Sequence, residues 1–161
     1  FLRQVSSNVE KVDDKIRKLM DDMLETMYAA PGIGLAAIQI GVPKRVIVMD
    51  LSKEETRKPL YFVNPKIILK SKRDSTYEEG CLSVPGQFAE VDRPDQCHIS
   101  YLDYEGKKKE LKAEGLLATC IQHEMDHLEG ILFIDYLSKL KKNFIVKKLS
   151  KQKKVLERIV V

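Results

Sequence analysis

Apolar residues recur at helical spacing from Asp13 to Tyr28, at Ile16, Leu19, Met20, Met23, Leu24, Met27 and Tyr28. That stripe predicts an amphipathic helix, with Asp13 or Asp14 as its cap and Pro31-Gly32 as its stop. Because the stripe is one continuous face, its methionines read as core packing rather than as a binding surface. Arg45 to Asp50 is a short β-branched run and reads as a buried strand. Leu60 to Val63 and Lys66 to Leu69 read as a strand pair broken at Asn64-Pro65, after a charged surface loop at Ser52 to Pro59. Glu90 to Val91, Cys97 to Asp103 and Lys108 to Lys112 read as further strands, the last two joined by a turn at Tyr104-Glu105-Gly106-Lys107. A second helix is predicted over Glu114 to His127 and closed by Gly130, followed by a short extended segment at Ile131 to Ile134. The pattern ends in an amphipathic helix from Ser138 to about Lys154, with Leu140, Phe144 and Leu149 inward and lysines outward.

The length of 161 residues fits one domain with a real core, and neither an internal repeat nor a linker divides it. No apolar run approaches the roughly 18 residues of a membrane span. The cysteines are Cys81, Cys97 and Cys120; an odd, sparse set argues against a disulfide framework and for a reducing compartment. Charge changes the picture at one end. Leu137 to Val161 holds nine Lys/Arg and one Glu, a balance of +8, which leaves −4 for the rest of a chain of net charge +4.

The predicted second helix carries the chemistry. His123-Glu124-Met125-Asp126-His127 has two histidines four residues apart, one turn from each other on one helix face. Both imidazoles can address one metal ion, and Glu124 stands where a carboxylate can manage the protons of an activated water. The apolar approach at Leu116, Leu117, Cys120 and Ile121 predicts that this face is buried. A catalytic metal needs a third protein ligand. Phe133 stands where one metalloprotease group carries a third histidine, although its glycine is present as Gly130. Glu157 lies among lysines near the terminus. Cys120 is seven residues from His127, about 10.5 Å along a helix axis, and reads better as a cavity wall. Cys97 and His98 alternate on a strand, so at most one faces inward. Cys81 remains, in Glu79-Gly80-Cys81-Leu82-Ser83, although a buried free cysteine is usually only a small hydrophobe. Upstream, Gly32-Ile33-Gly34 is not a dinucleotide loop, because the third glycine is missing and a helix precedes it. Small residues there would let another backbone come close, and Gln39 is the one polar side chain of the run.

Three blocks stand in one order: Gly32-Ile33-Gly34-Leu35-Ala36-Ala37-Ile38-Gln39, Glu79-Gly80-Cys81-Leu82-Ser83, and Gln122-His123-Glu124-Met125-Asp126-His127. Together they resemble the signature motifs of the peptide deformylases, and the resemblance covers nearly the whole chain. It implies an α+β fold, with antiparallel sheets packed around the central motif helix and helices at both ends. It implies removal of the formyl group from the N-terminal formyl-methionine of new bacterial or organellar proteins. Cys81, His123 and His127 would hold one divalent metal, Fe2+ as the native ion, replaceable by Zn2+, Ni2+ or Co2+. Glu124 would be the acid/base, and Gln39 with the Leu82 N–H would stabilise the oxyanion. Ile33, Leu116, Thr119 and Cys120 match the methionine pocket, while Gly34 and Gly80 match substrate-backbone contacts. Phe88 departs from the pattern, standing where several members carry an Arg that touches the substrate. The resemblance places the enzyme in the bacterial cytoplasm or an organelle, acting on nascent chains without a membrane. The basic C-terminal helix adds a candidate ribosome contact. Two rival readings are a zinc endopeptidase, which would cleave unformylated peptides, and a binding module with a closed, structural metal site.

Overall fold

The computed structural model describes residues 1–52 and 56–160, with the side chains of 152–160 outside that description. Helix α1 (Asp14–Ala29) begins where Asp13 accepts a hydrogen bond from the Ile16 N–H, 3.1 Å away. Its Ile16, Met20, Met23 and Met27 are buried, as the stripe predicts. A five-stranded antiparallel sheet follows, built from β1 (Gly34–Ala36), β2 (Val46–Met49), β3 (Leu60–Lys70), β6 (Gln96–Leu102) and β7 (Lys108–Glu114) in the order β1-β2-β3-β6-β7. Strands β4 (Asp74–Cys81) and β5 (Val84–Pro94) form a separate hairpin. Helix α2 (Gly115–Leu128) carries the two motif histidines, and α3 (Lys139–Val160) closes the chain. The fold is α+β, with terminal helices and antiparallel sheets around α2.

Strand β2 explains how the sheet is buried on both faces. Val46 and Val48 pack with α1, while the alternate Ile47 and Met49 pack with Ile121, Met125 and Leu128 of α2. All four β2 residues are buried, so the run reads as continuously apolar in sequence. The three α1 methionines are fully buried, and each contributes about 1.5–3 kcal/mol in burial.

Several boundaries differ from the sequence pattern. The strand pair broken at Asn64-Pro65 is one strand, β3, with a register shift there. Asn64 adopts φ +49, and its side chain exchanges two 2.8 Å hydrogen bonds with the Val9 backbone. Glu90 to Val91 is a fragment of an eleven-residue strand. Ile131 to Ile134 is not an extended segment, because a 3-10 turn occupies Phe133–Tyr136. Asp135 creates that turn by accepting from the Leu132 N–H at 2.9 Å. On α3, Leu140 and Phe144 are 81% and 66% exposed, so they do not form its inner face. Ile145 is buried instead, and Leu149 packs beside it against Val84, Val91 and Phe133. The loop predicted over Ser52 to Pro59 lies at 53–55 outside the described residues, as does the side chain of Glu157.

Gly130 ends the α2 region at φ +74, and a Cβ there would lie 2.3 Å from the Arg3 carbonyl oxygen. Gly130→Ala therefore combines a left-handed backbone with a backbone clash. It is expected to lower unfolding free energy by roughly 2–5 kcal/mol, from about 1–2 for the conformation and about 1–3 for overpacking. A urea-denaturation midpoint equal to that of the parent would contradict this.

Candidate metal centre

Helix α2 is buried around most of its circumference, because the sheet flanks one side and the β4–β5 hairpin another. This placement buries His123, Glu124 and His127 together. The two imidazoles stand edge to face, with centroids 5.2 Å apart. Cys81 closes β4, where the register shifts after Gly80 and the hairpin turns back at Val84. Its Sγ lies 3.4 Å from His127 Nε2, and one donor atom from each of Cys81, His123 and His127 lies within 4.8 Å of the others. Donors around one tetrahedral ion with bonds of 2.0–2.3 Å are roughly 3.3–3.6 Å apart. One thiol and two imidazoles at this spacing fit a metal such as zinc or iron and leave a coordination position free of protein. Cys97 and His98 are not in this cluster. Cys97 belongs to the sheet core, and His98 faces Glu110 on the surface. Phe133, which occupies the position of an alternative histidine ligand, stacks on the His123 ring at 6.1 Å.

A second layer of groups orients the donors. His123 Nδ1 bonds to Glu79 Oε1 at 2.8 Å, which turns Nε2 toward the cluster. Arg93 donates to both Glu79 oxygens, at 2.7 and 3.0 Å, and to Asp126 at 2.7 Å. The Tyr136 hydroxyl also donates to Asp126, at 2.6 Å. Around the sulfur, the Ser83 N–H and Gln39 Nε2 point at Sγ from 3.4 and 3.5 Å. The Gln39 amide is fixed in orientation, since its Oε1 accepts from the Ala36 N–H and its Nε2 donates to Ser83 Oγ, each at 2.9 Å.

The ionisable groups are strongly perturbed. Burial alone would lower His123, but hydrogen bonds to Cys81 and Glu79 outweigh it and raise the ring to about 10. His127 is pushed down to about 3, by burial and then by the neighbouring His123 charge. The rings stand edge to face, so a charge on His123 opposes one on His127. Burial raises Glu124 to about 7 against the pull of His123 and Arg93. A carboxyl poised near neutrality can both take and give a proton. Its Oε2 is buried with no hydrogen-bond partner among the described residues, and Gly34 lies directly against the carboxylate: a Cβ at Gly34 would sit 3.0 Å from Oε1. The small residues of that segment make room for side chains, Leu82 beside Gly32 and Glu124 beside Gly34.

A cleft of about 420 Å3 opens onto the cluster. Ile33, Gly34, Gly80, Leu116, Thr119 and Cys120 all line it, with Gln39, Cys81, Leu82, His123 and Glu124. His127 lies behind the lining and is 1% exposed. Cys120 is a wall of this cleft, and burial followed by the Glu124 charge pushes its thiol up to about 12. The sequence reading missed Glu79 and Arg93. Glu79 carried a weak signal as a neighbour of Cys81, whereas Arg93 in Asp92-Arg93-Pro94 carried none.

A donor triad of one thiol at the end of β4 and two buried histidines on a His-Glu-x-x-His helix, with an unpartnered carboxylate at the head of a cleft, defines a metallohydrolase. The chain matches the polypeptide deformylase family over residues 1–143. It is 71% identical over 162 residues to a peptide deformylase of Pelagibacter ubique, covering 100% of this chain and 93% of that protein. A crystal structure of peptide deformylase from Ehrlichia chaffeensis matches with a TM-score of 0.91 and 46% identity, covering 96% of this chain and 92% of that one. The Ehrlichia chaffeensis enzyme in complex with actinonin matches at 0.90 with 48% identity, over 94% and 91% of the two chains. The chain belongs to the polypeptide deformylase family, the metallohydrolases that remove the formyl group from peptides.

If Glu79 orients His123, Glu79→Gln should weaken metal retention by about 10–100-fold. Chelator competition, with circular dichroism to verify folding, measures this; retention equal to that of the parent would refute the contact's role.

Proposed function

We propose that Cys81, His123 and His127 hold the single divalent metal, Fe2+ as the native ion with Zn2+, Ni2+ or Co2+ as replacements, and that Glu124 is the acid/base. The observation that carries this reading is the convergence of three donor atoms, two of them from buried histidines, beside an unpartnered carboxylate. When bound, the ion supplies Lewis acidity, which makes water a nucleophile at neutral pH. Glu124 takes the proton of the attacking water and passes it to the departing amine of methionine. As the formyl carbon becomes tetrahedral, its oxygen gains negative charge. The Gln39 amide, already turned toward the cluster, and the Leu82 N–H stabilise that oxygen; losing one such donor typically costs about 10²–10³ in rate. Ile33, Leu116, Thr119 and Cys120 surround the flexible thioether side chain, and Gly34 and Gly80 let the substrate backbone approach. A narrow head to the cleft suits a formyl group and excludes internal peptide bonds. The reaction belongs to the cytoplasm, where nascent formylated chains emerge.

The closing experiment loads the protein with metal under anaerobic conditions and follows formate release from a formyl-Met peptide. Cys81→Ala should lose the metal while Cys97→Ala keeps it. Glu124→Ala should keep the metal and lose about 10²–10⁴ of turnover. Metal loss in Cys97→Ala, or parental turnover in metal-loaded Glu124→Ala, would overturn the assignment.

Helix α3 supports a finer reading. Lys139, Lys141, Lys147, Lys148 and Lys151 are exposed along it, with no acidic residue between Lys139 and Lys151. Such a surface suits ribosomal RNA at the site where the substrate appears. Changing Lys147, Lys148 and Lys151 to Glu should reduce ribosome co-sedimentation at low salt, because phosphate contacts are salt-dependent. Turnover of a short peptide should not change. Undiminished co-sedimentation would remove the idea. Among the described residues no helix is long and apolar enough to cross a membrane.

A further inference from the structure

Strand β7 is an edge of the five-stranded sheet. It pairs with β6 on one side, and among the described residues no strand lies on the other. Residues 108–113 therefore leave half of their backbone N–H and C=O groups without a partner in the described chain. Soluble proteins usually blunt such an edge with a bulge, a proline or charges that repel a second strand. Strand β7 has no proline, and its seven residues pair with β6 without a register shift. Its charges are ordered instead. Lys108, Glu110, Lys112 and Glu114 share one face, are all exposed, and alternate in sign. Leu111 and Ala113 turn to the core on the other face, where Lys109 is held by Asp103 at 3.4 Å.

We propose that the β7 edge binds the same edge of a second copy of this chain, antiparallel about a twofold axis at Leu111, so that two sheets become one. The strand is self-complementary in that register. Lys108 meets Glu114 of the second copy, Glu110 meets Lys112, and Leu111 meets Leu111, each pair occurring on both sides of the axis. Residues directly opposite on antiparallel strands exchange hydrogen bonds only if both point their backbone groups across the gap, so positions of like parity must face each other. The two neighbouring registers that satisfy this rule set Glu110 against Glu110 and Lys108 against Lys112, or Lys112 against Lys112 and Glu110 against Glu114. Like charges directly opposite are unfavourable, so one register is selected. Glu110 also reaches back to His98 Nε2 at 3.1 Å, which keeps its carboxylate on the paired face. One strand from each partner is a small contact against the roughly 800 Å2 per partner of a standard interface, so the dimer is weak.

Sedimentation equilibrium of the metal-loaded full chain tests this at low salt, where exposed pairs are least screened. The weight-average mass should rise from 18.5 kDa toward twice that value as concentration goes from about 10 µM to about 1 mM. Deuterium exchange in β7 should slow over the same range. Glu110→Lys and Lys112→Glu, each verified as folded by circular dichroism, should each weaken dimerisation by at least about tenfold, because like charges then face each other across the axis. The double variant Glu110→Lys/Lys112→Glu should restore it, since the swap re-forms opposite pairs. A parent that stays at the monomer mass throughout overturns the proposal. So does a dimer that both single variants leave intact, one that the double variant fails to restore, or one that forms with no change of exchange in β7.

Discussion

The contact between Glu79 and His123 joins the two halves of the catalytic centre. Glu79 lies on β4 and His123 on α2, and no strand pairing links the β4–β5 hairpin to the larger sheet. The hairpin is instead held against α2 by the chain His123–Glu79–Arg93–Asp126, whose Glu79 and Arg93 side chains are 5% and 4% exposed. Removing one member of such a buried ionic set typically costs about 3–5 kcal/mol, because its partners stay buried without compensation. Glu79 and Cys81 are two apart on one strand and so share a face. The carboxylate that docks the hairpin therefore also delivers the thiol to the histidines. Arg93 adds direction: its planar fork grips both Glu79 oxygens, which a lysine's single ammonium would not do equally well.

The elements that the sequence pattern revealed are those with a regular apolar face. Helix α1, strand β2 and helix α2 bury hydrocarbon at regular periods, and their predicted spans lie within a few residues of the observed ones. The β4–β5 hairpin was almost invisible. Its inward positions include Glu79, Gln87 and Arg93, so alternation by polarity does not mark its buried face. The same polar burial concealed the orienting shell of the metal centre, while the donors themselves stood out through histidine spacing and the ordered blocks. On α3 the apolar residues Leu140 and Phe144 share the helix with Ile145 and Leu149. Periodicity alone could not say which pair faces the hairpin, because a sparse lysine-rich helix offers two short stripes. At Phe133 the pattern implied an extended run, but one hydrogen bond from the Leu132 N–H to the Asp135 carboxylate curls the backbone into a turn.

Charge counting around Arg93 connects docking to metal binding. Glu79 and Asp126 bring two negative charges to one guanidinium, so the buried set has one negative charge in surplus. Burial works against Glu79 as an anion, yet hydrogen bonds from His123 and Arg93 keep its carboxyl below the usual range. Together with the hydrogen bond to Cys81, the surplus against His123 Nδ1 favours a proton on that ring. Each imidazole ligates a metal only as a neutral ring, so uptake must displace that proton. Once it does, Nδ1–H still faces Glu79 and the surplus charge polarises the ring from behind, making Nε2 a stronger donor. His127 lacks such support, and its Nδ1 has no hydrogen-bond partner among the described residues. The two histidines are therefore unequal ligands by construction: one is backed by a buried anionic network, while the other contacts Cys81 Sγ and is otherwise held by packing.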